Sequence, residues 1–141
     1  MNPILRNVLA ILIGAFIGAM VNMFLIMAGG YIIPMPEGAD LSTMETLKAS
    51  MHLMEPKNFI VPFTAHAVGT FMGALIGALI AVTHKMRVAM IIGFLFLIAG
   101  ISAMMQLPAP LWFNALDMIV AYIPMAYIAG KLVSGKKKQT I

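Results

Sequence analysis

Cysteine is absent from this 141-residue chain, and charged residues make up only 10% of it, against roughly 25% in an ordinary soluble domain. The first absence rules out disulfides and thiolate metal ligands without identifying a compartment. The second nearly excludes a water-soluble enzyme. Catalytic signatures are missing as well: no GxSxG, HExxH, Walker or dinucleotide-binding pattern occurs. Such patterns are what place a nucleophile, a metal or a phosphate cradle on a fold, so an enzyme is the less favoured class. What is abundant is apolar. Hydrophobic residues reach 62% and the mean hydropathy is +0.99, which assigns most of the chain to a bilayer rather than to water.

A spanning helix needs about 20 mainly apolar residues, and segments 7–27, 59–83, 88–105 and 111–132 approach or exceed that length. His84 to Arg87 form a tight connection, and Pro108 and Pro110 interrupt the chain between the last two spans, where a helix cannot continue. The first span is read as retained rather than as a cleaved signal, because its apolar run is long and lacks a small-x-small cleavage site. The expected fold is all-α: one integral membrane domain of four transmembrane helices in a compact bundle, with a short amphipathic helix in the loop between the first two.

Sorting the charges orients these spans. Arg6, Lys85, Arg87, Lys131, Lys136, Lys137 and Lys138 fall at one end, whereas the 30–58 loop holds Lys48 and Lys57 with Glu37, Asp40, Glu45 and Glu55. By the positive-inside rule both termini are cytoplasmic, and an unadorned basic tail over 133–141 fits a bacterial inner membrane. Lacking interleaved aromatics, that tail does not indicate nucleic-acid binding.

The 30–58 loop opens on Pro34, Pro36 and Gly38, then offers Ser42 and Glu45 as a capping box for a helix over 43–55. Met44, Leu47, Met51 and Met54 form its apolar stripe; Glu45, Lys48, His52 and Glu55 form a polar one. The helix would lie on the outer membrane surface or cap the bundle. His52 and Glu55 share a face and suit two ligands of one metal, although a solvated polar face explains them equally well.

Inside the spans polar residues are few, and such residues usually face a bundle interior or mark a pathway. Counting about 1.5 Å of rise per residue from the outer end of each span, Asn22 lies roughly 7 Å in, His66 roughly 10 Å and Asp117 roughly 9 Å. Ser102, Gln106 and Asn114 lie nearer the outer surface. Several stand on stripes of small residues, with Gly14 and Gly18 on one and Gly69, Gly73 and Gly77 on another, where membrane helices approach closely. The expectation is that Asn22, His66, Ser102, Gln106, Asn114 and Asp117 converge on the bundle axis as a binding or proton-relay cluster. Pro124 adds a kink or hinge in the last span.

Three functions follow. The first is a small transporter or channel subunit, assembled as a homo-oligomer if four helices enclose too little volume, with an outer vestibule for a cation, a proton or a small polar solute. The second is an accessory subunit whose polar core only holds helices in register. The third is a membrane protein using His52, Glu55, His66 and Asp117 for a divalent metal such as zinc, copper or iron; no other cofactor is expected.

Overall fold

The computed structural model describes residues 1–135, so Lys136, Lys137 and Lys138 of the basic tail lie outside the described residues. Six α-helices occur: α1 (Pro3–Ile32), α2 (Met44–Ser50), α3 (Ile60–Ile80), α4 (Lys85–Gln106), α5 (Leu111–Val120) and α6 (Ile123–Ser134), with no strand among the described residues. Counting a short helical turn at Pro56–Phe59 with α3, and α5 with α6, there are four helical stretches long and apolar enough to cross a membrane.

The arrangement is set by small residues. Helix α3 packs against α1, α4 and α6. Its buried positions are Val61, Ala65, Ala67, Gly69, Thr70, Gly73, Ala74, Gly77 and Ala78. Against α1 the contact is backbone on backbone. A β-carbon on Gly14 would stand 2.6 Å from the Gly73 carbonyl oxygen, and one on Gly18 2.7 Å from that of Gly69. These glycines allow an approach that any side chain would block. Across the bundle, Gly93 of α4 receives Ala126 of α6, and Gly130 receives Met86 and Ala89. Large side chains point outward instead: Phe16, Phe24, Phe94, Ile98 and Ile119 are exposed. An alanine-rich core under a surface of large apolar side chains suits a lipid surround, because lipid gives big residues no reason to turn inward.

Helix boundaries depart from expectation in four places. Helix α1 runs on to Ile32 rather than residue 27, with Val61 packed against Gly29 near its end. Helix α3 ends at Ile80 rather than residue 83: Asn7 donates to the carbonyl and hydroxyl oxygens of Thr83 at 3.1 and 2.9 Å and accepts from the Val82 N–H at 3.1 Å. The Arg6 Nε–H adds a bond to the Ile80 carbonyl at 3.1 Å. These bonds fasten the start of α1 to the end of α3, and α4 then starts at Lys85 behind a left-handed His84 (φ 50°). In the loop, the cap is Thr43 rather than Ser42. Its hydroxyl accepts from the Thr46 N–H at 3.1 Å while Ser42 is turned toward Asp40. Last, the loop helix stops at Ser50 and passes into a 3-10 turn at Met51–Leu53.

The loop has its own fasteners. A turn over Pro36 to Ala39 places Gly38 at φ +85°, the left-handed value glycine takes most readily. Buried Ser50 accepts from the Asp40 N–H at 2.9 Å. Buried Asn58 accepts from the Glu55 N–H at 2.9 Å and donates to the Pro34 carbonyl at 3.2 Å. Leu47, Met51 and Met54 are thereby held over the end of the bundle, while Glu45, Lys48, His52 and Glu55 remain exposed.

Candidate functional site

The last of the four long helical stretches is broken at Ala121 and Tyr122, between α5 and α6. Pro124, near the start of α6, has no N–H to give the carbonyl one turn back, so the helix restarts at this point. Without the break, residues 117 and 122 would stand about 140° apart around a helix of 3.6 residues per turn. With it, the Tyr122 ring turns into the bundle, where Tyr122 is 2% exposed and Asp117 3%.

The Tyr122 hydroxyl donates to Asp117 Oδ2 at 2.8 Å and lies 3.1 Å from His66 Nδ1. His66 Nδ1 is in turn 2.9 Å from both Oδ1 and Oδ2 of Asp117. The imidazole and phenol rings stack at 5.8 Å with 28° between their planes. Three side chains from α3, α5 and the break thus form one closed unit. Because carboxylate oxygens accept, the hydrogen at this edge of the imidazole belongs to Nδ1. Such an arrangement fixes ring orientation and tautomer and leaves Nε2 outside the bonded unit.

His66 is also the residue of this unit that stays partly accessible, its side chain 23% exposed against 4% for Asp117. Both border a partly open cavity of about 520 Å³ lined by α1, the loop, α3, α4 and α5. Its walls are chiefly apolar, with Met27, Met35, Met51, Met54, Met104 and Met118 prominent. Its polar side chains are Asn58, His66, Asn114 and Asp117. The volume falls within the roughly 300–1,000 Å³ of ordinary small-molecule sites.

The expected cluster is therefore only partly gathered. His66 and Asp117 are bonded and Asn114 shares their cavity, donating a long 3.4 Å bond to the Ala109 carbonyl. Asn22 packs instead against Gly69 on the α1–α3 contact, and its buried Oδ1, like Thr70 Oγ1 on α3, has no partner among the described residues. Ser102 and Gln106 point away. Both are exposed, and the Gln106 amide donates to the Ser102 carbonyl and hydroxyl at 3.1 and 3.2 Å. The inward face of α4 is the one bearing Ile92, Gly93 and Gly100, not the Ala99, Ser102 and Gln106 stripe.

The four residues considered for a metal are not assembled either: no three His, Asp or Glu side chains come together among the described residues. His52 is solvent-exposed on the loop, and Glu55 pairs there with Lys57 at 2.8 Å. Pro124 is exposed beside the break rather than in the cavity. Tyr122 is the functional candidate that sequence spacing misses. Its one signal is its position two residues before a proline inside an apolar span.

Comparison with protein-family models, curated proteins and solved structures finds no match to this chain, so its function must be read from the site itself.

Proposed function

We propose that the chain is a small integral membrane transport or ligand-carrying subunit, its termini cytoplasmic, whose extracytoplasmic-side cavity takes up a solute and presents it to His66. The observation that carries this reading is the pairing of a buried Asp117, bonded to Tyr122 and His66, with a partly accessible imidazole at the wall of a 520 Å³ cavity. A network that only fixed helix register would have no need of an accessible ring beside such a volume. The apolar walls also modify the expected solute. A hydrated cation would lose its water there with little to replace it, so a molecule that is mostly apolar with one polar group fits better than a bare ion.

Within this reading each residue has a task. Asp117 holds the imidazole by Nδ1, Tyr122 donates to its Oδ2, and Nε2 accepts a hydrogen bond or a proton from the solute. Loop residues Leu47, Met51 and Met54 contribute apolar wall on the loop side of the cavity. Photolabelling with a diazirine-bearing amphipath in proteoliposomes, followed by mass spectrometry, tests the reading. Adducts concentrated on Met51, Met104, Phe113 and Met118 support it; adducts confined to outward-facing Phe16, Phe94 and Ile98 refute it.

One observation favours a second reading, in which the unit is structural: His66, Asp117 and Tyr122 bond one another directly, as interhelical polar glue does. In that case Asp117→Asn changes stability and leaves any solute flux untouched. Loss of flux in a variant that is still folded favours uptake.

A further inference from the structure

The polar side-chain atoms around the cavity are partly committed within the protein. Asn58 gives one N–H to the Pro34 carbonyl, and its oxygen accepts from the Glu55 N–H. The Tyr122 hydroxyl donates to Asp117, and one N–H of Asn114 to the Ala109 carbonyl. Each asparagine amide has a second N–H, so Asn114 can still offer a donor, while His66 Nε2 and the Asn114 oxygen are acceptors. With Nδ1 holding the hydrogen that faces Asp117, the neutral ring carries a lone pair at Nε2. The ring cannot turn over to exchange its nitrogens without giving up both carboxylate contacts of Nδ1.

Resting on the reading of the cavity as a solute site, we infer that the solute is a single-tailed lipid alcohol, whose hydroxyl donates to His66 Nε2 and accepts from the second amide N–H of Asn114. The walls specify the tail. Met27, Met51, Met54, Met104 and Met118 are unbranched and adaptable, which suits a flexible chain better than one rigid shape. The polar atoms specify the head. An ether or ester oxygen can accept from Asn114 but brings no hydrogen for His66 Nε2. An ammonium brings hydrogens, but it would have to shed its hydration beside a carboxylate already accepting from Tyr122 and His66. A hydroxyl satisfies the ring nitrogen at the lowest desolvation cost.

The chain contains its own reporter. Trp112, the only tryptophan, packs edge-on against Phe59 and Phe113 at 5.6 and 6.1 Å between ring centres, and both phenylalanines border the cavity. The full-length protein in nanodiscs is titrated with an ω-bromoalkanol, its methyl ether and the corresponding bromoalkylamine, all of one chain length, while Trp112 fluorescence is followed. The alcohol is expected to reach saturating quenching at roughly fivefold lower concentration than the ether, the effect of one net hydrogen bond. That preference should vanish in His66→Phe. Equal saturation by alcohol and ether, or tighter binding of the amine, overturns the inference while leaving the cavity as a solute site. Saturation by none of the three overturns the solute site itself. The comparison of ligands on the unaltered chain needs no variant to fold.

Discussion

Gly100 of α4 lies against the Tyr122 ring so closely that a β-carbon there would stand 2.6 Å from Cζ. Room for the phenol is thus made by a missing side chain on the neighbouring helix, and the placement of Asp117 and His66 depends on it. Gly100→Ala should force the ring outward and cost about 1–3 kcal/mol, as overpacking of a filled core does. Thermal unfolding in mild detergent measures this. Because the closest approach is to the hydroxyl, adding Tyr122→Phe should recover part of the loss.

The two kinds of glycine on α1 and α3 should respond oppositely. A β-carbon on Gly73 would stand 2.7 Å from the Gly14 carbonyl oxygen, whereas one on Gly30 meets nothing within 4 Å. Gly73→Ala must push two backbones apart and should lower stability by at least about 1–3 kcal/mol. Gly30→Ala should be neutral or raise it by up to about 1 kcal/mol, the helix-propensity difference alone. Parallel melts of the two variants check both signs.

Removing single members of the polar unit should also be unequal. Tyr122→Phe takes one donor from Asp117 and leaves both His66 contacts, so a loss of about 1–3 kcal/mol is expected. Asp117→Leu leaves the Tyr122 hydroxyl and His66 Nδ1 without their acceptor and should cost more than Tyr122→Phe. Equal melting temperatures for the two variants would show that the carboxylate is not the centre of the unit.

Asp40 makes the loop sensitive to acid. Bonds from the Ser42 side chain and then its backbone N–H hold the Asp40 carboxyl below its ordinary value of 3.8. A lowered folded value means that the stabilisation is complete above the ordinary value and fades as pH falls through the lower one. The protection of the Ser42 amide, its exchange rate relative to that of an unstructured amide at the same pH, should therefore fall only below about pH 4, and Asp40→Ala should abolish that change. The effect is local, since the group is fully exposed.

The legible parts of this structure are those governed by long-range averages. Apolar runs of spanning length located the four long helical stretches. Depth counting from the ends brought His66 and Asp117 to one level, where they are bonded at 2.9 Å. What could not be read depends on local competition. Ser102 and Gln106 belong to a plausible small-residue stripe, yet Gly93 and Gly100 supply α4 with a closer-packing face. Thr43 outcompetes Ser42 as a cap because Asp40 already engages Ser42. Tyr122 stands on the wrong side of any unbroken helix through Asp117, so only the interruption ahead of Pro124 reveals it.

The central claim is that a solute enters the cavity and reaches His66. Ala103 borders that cavity from α4 without bonding to His66, Asp117 or Tyr122, so Ala103→Phe fills the volume and leaves the polar unit whole. The most direct measurement is Trp112 quenching by an ω-bromoalkanol in nanodiscs, unaltered chain against Ala103→Phe, with melting curves confirming that both are folded. The account predicts saturable quenching in the first and only the unsaturable background of lipid-dissolved quencher in the second. The same saturable curve in both would contradict it.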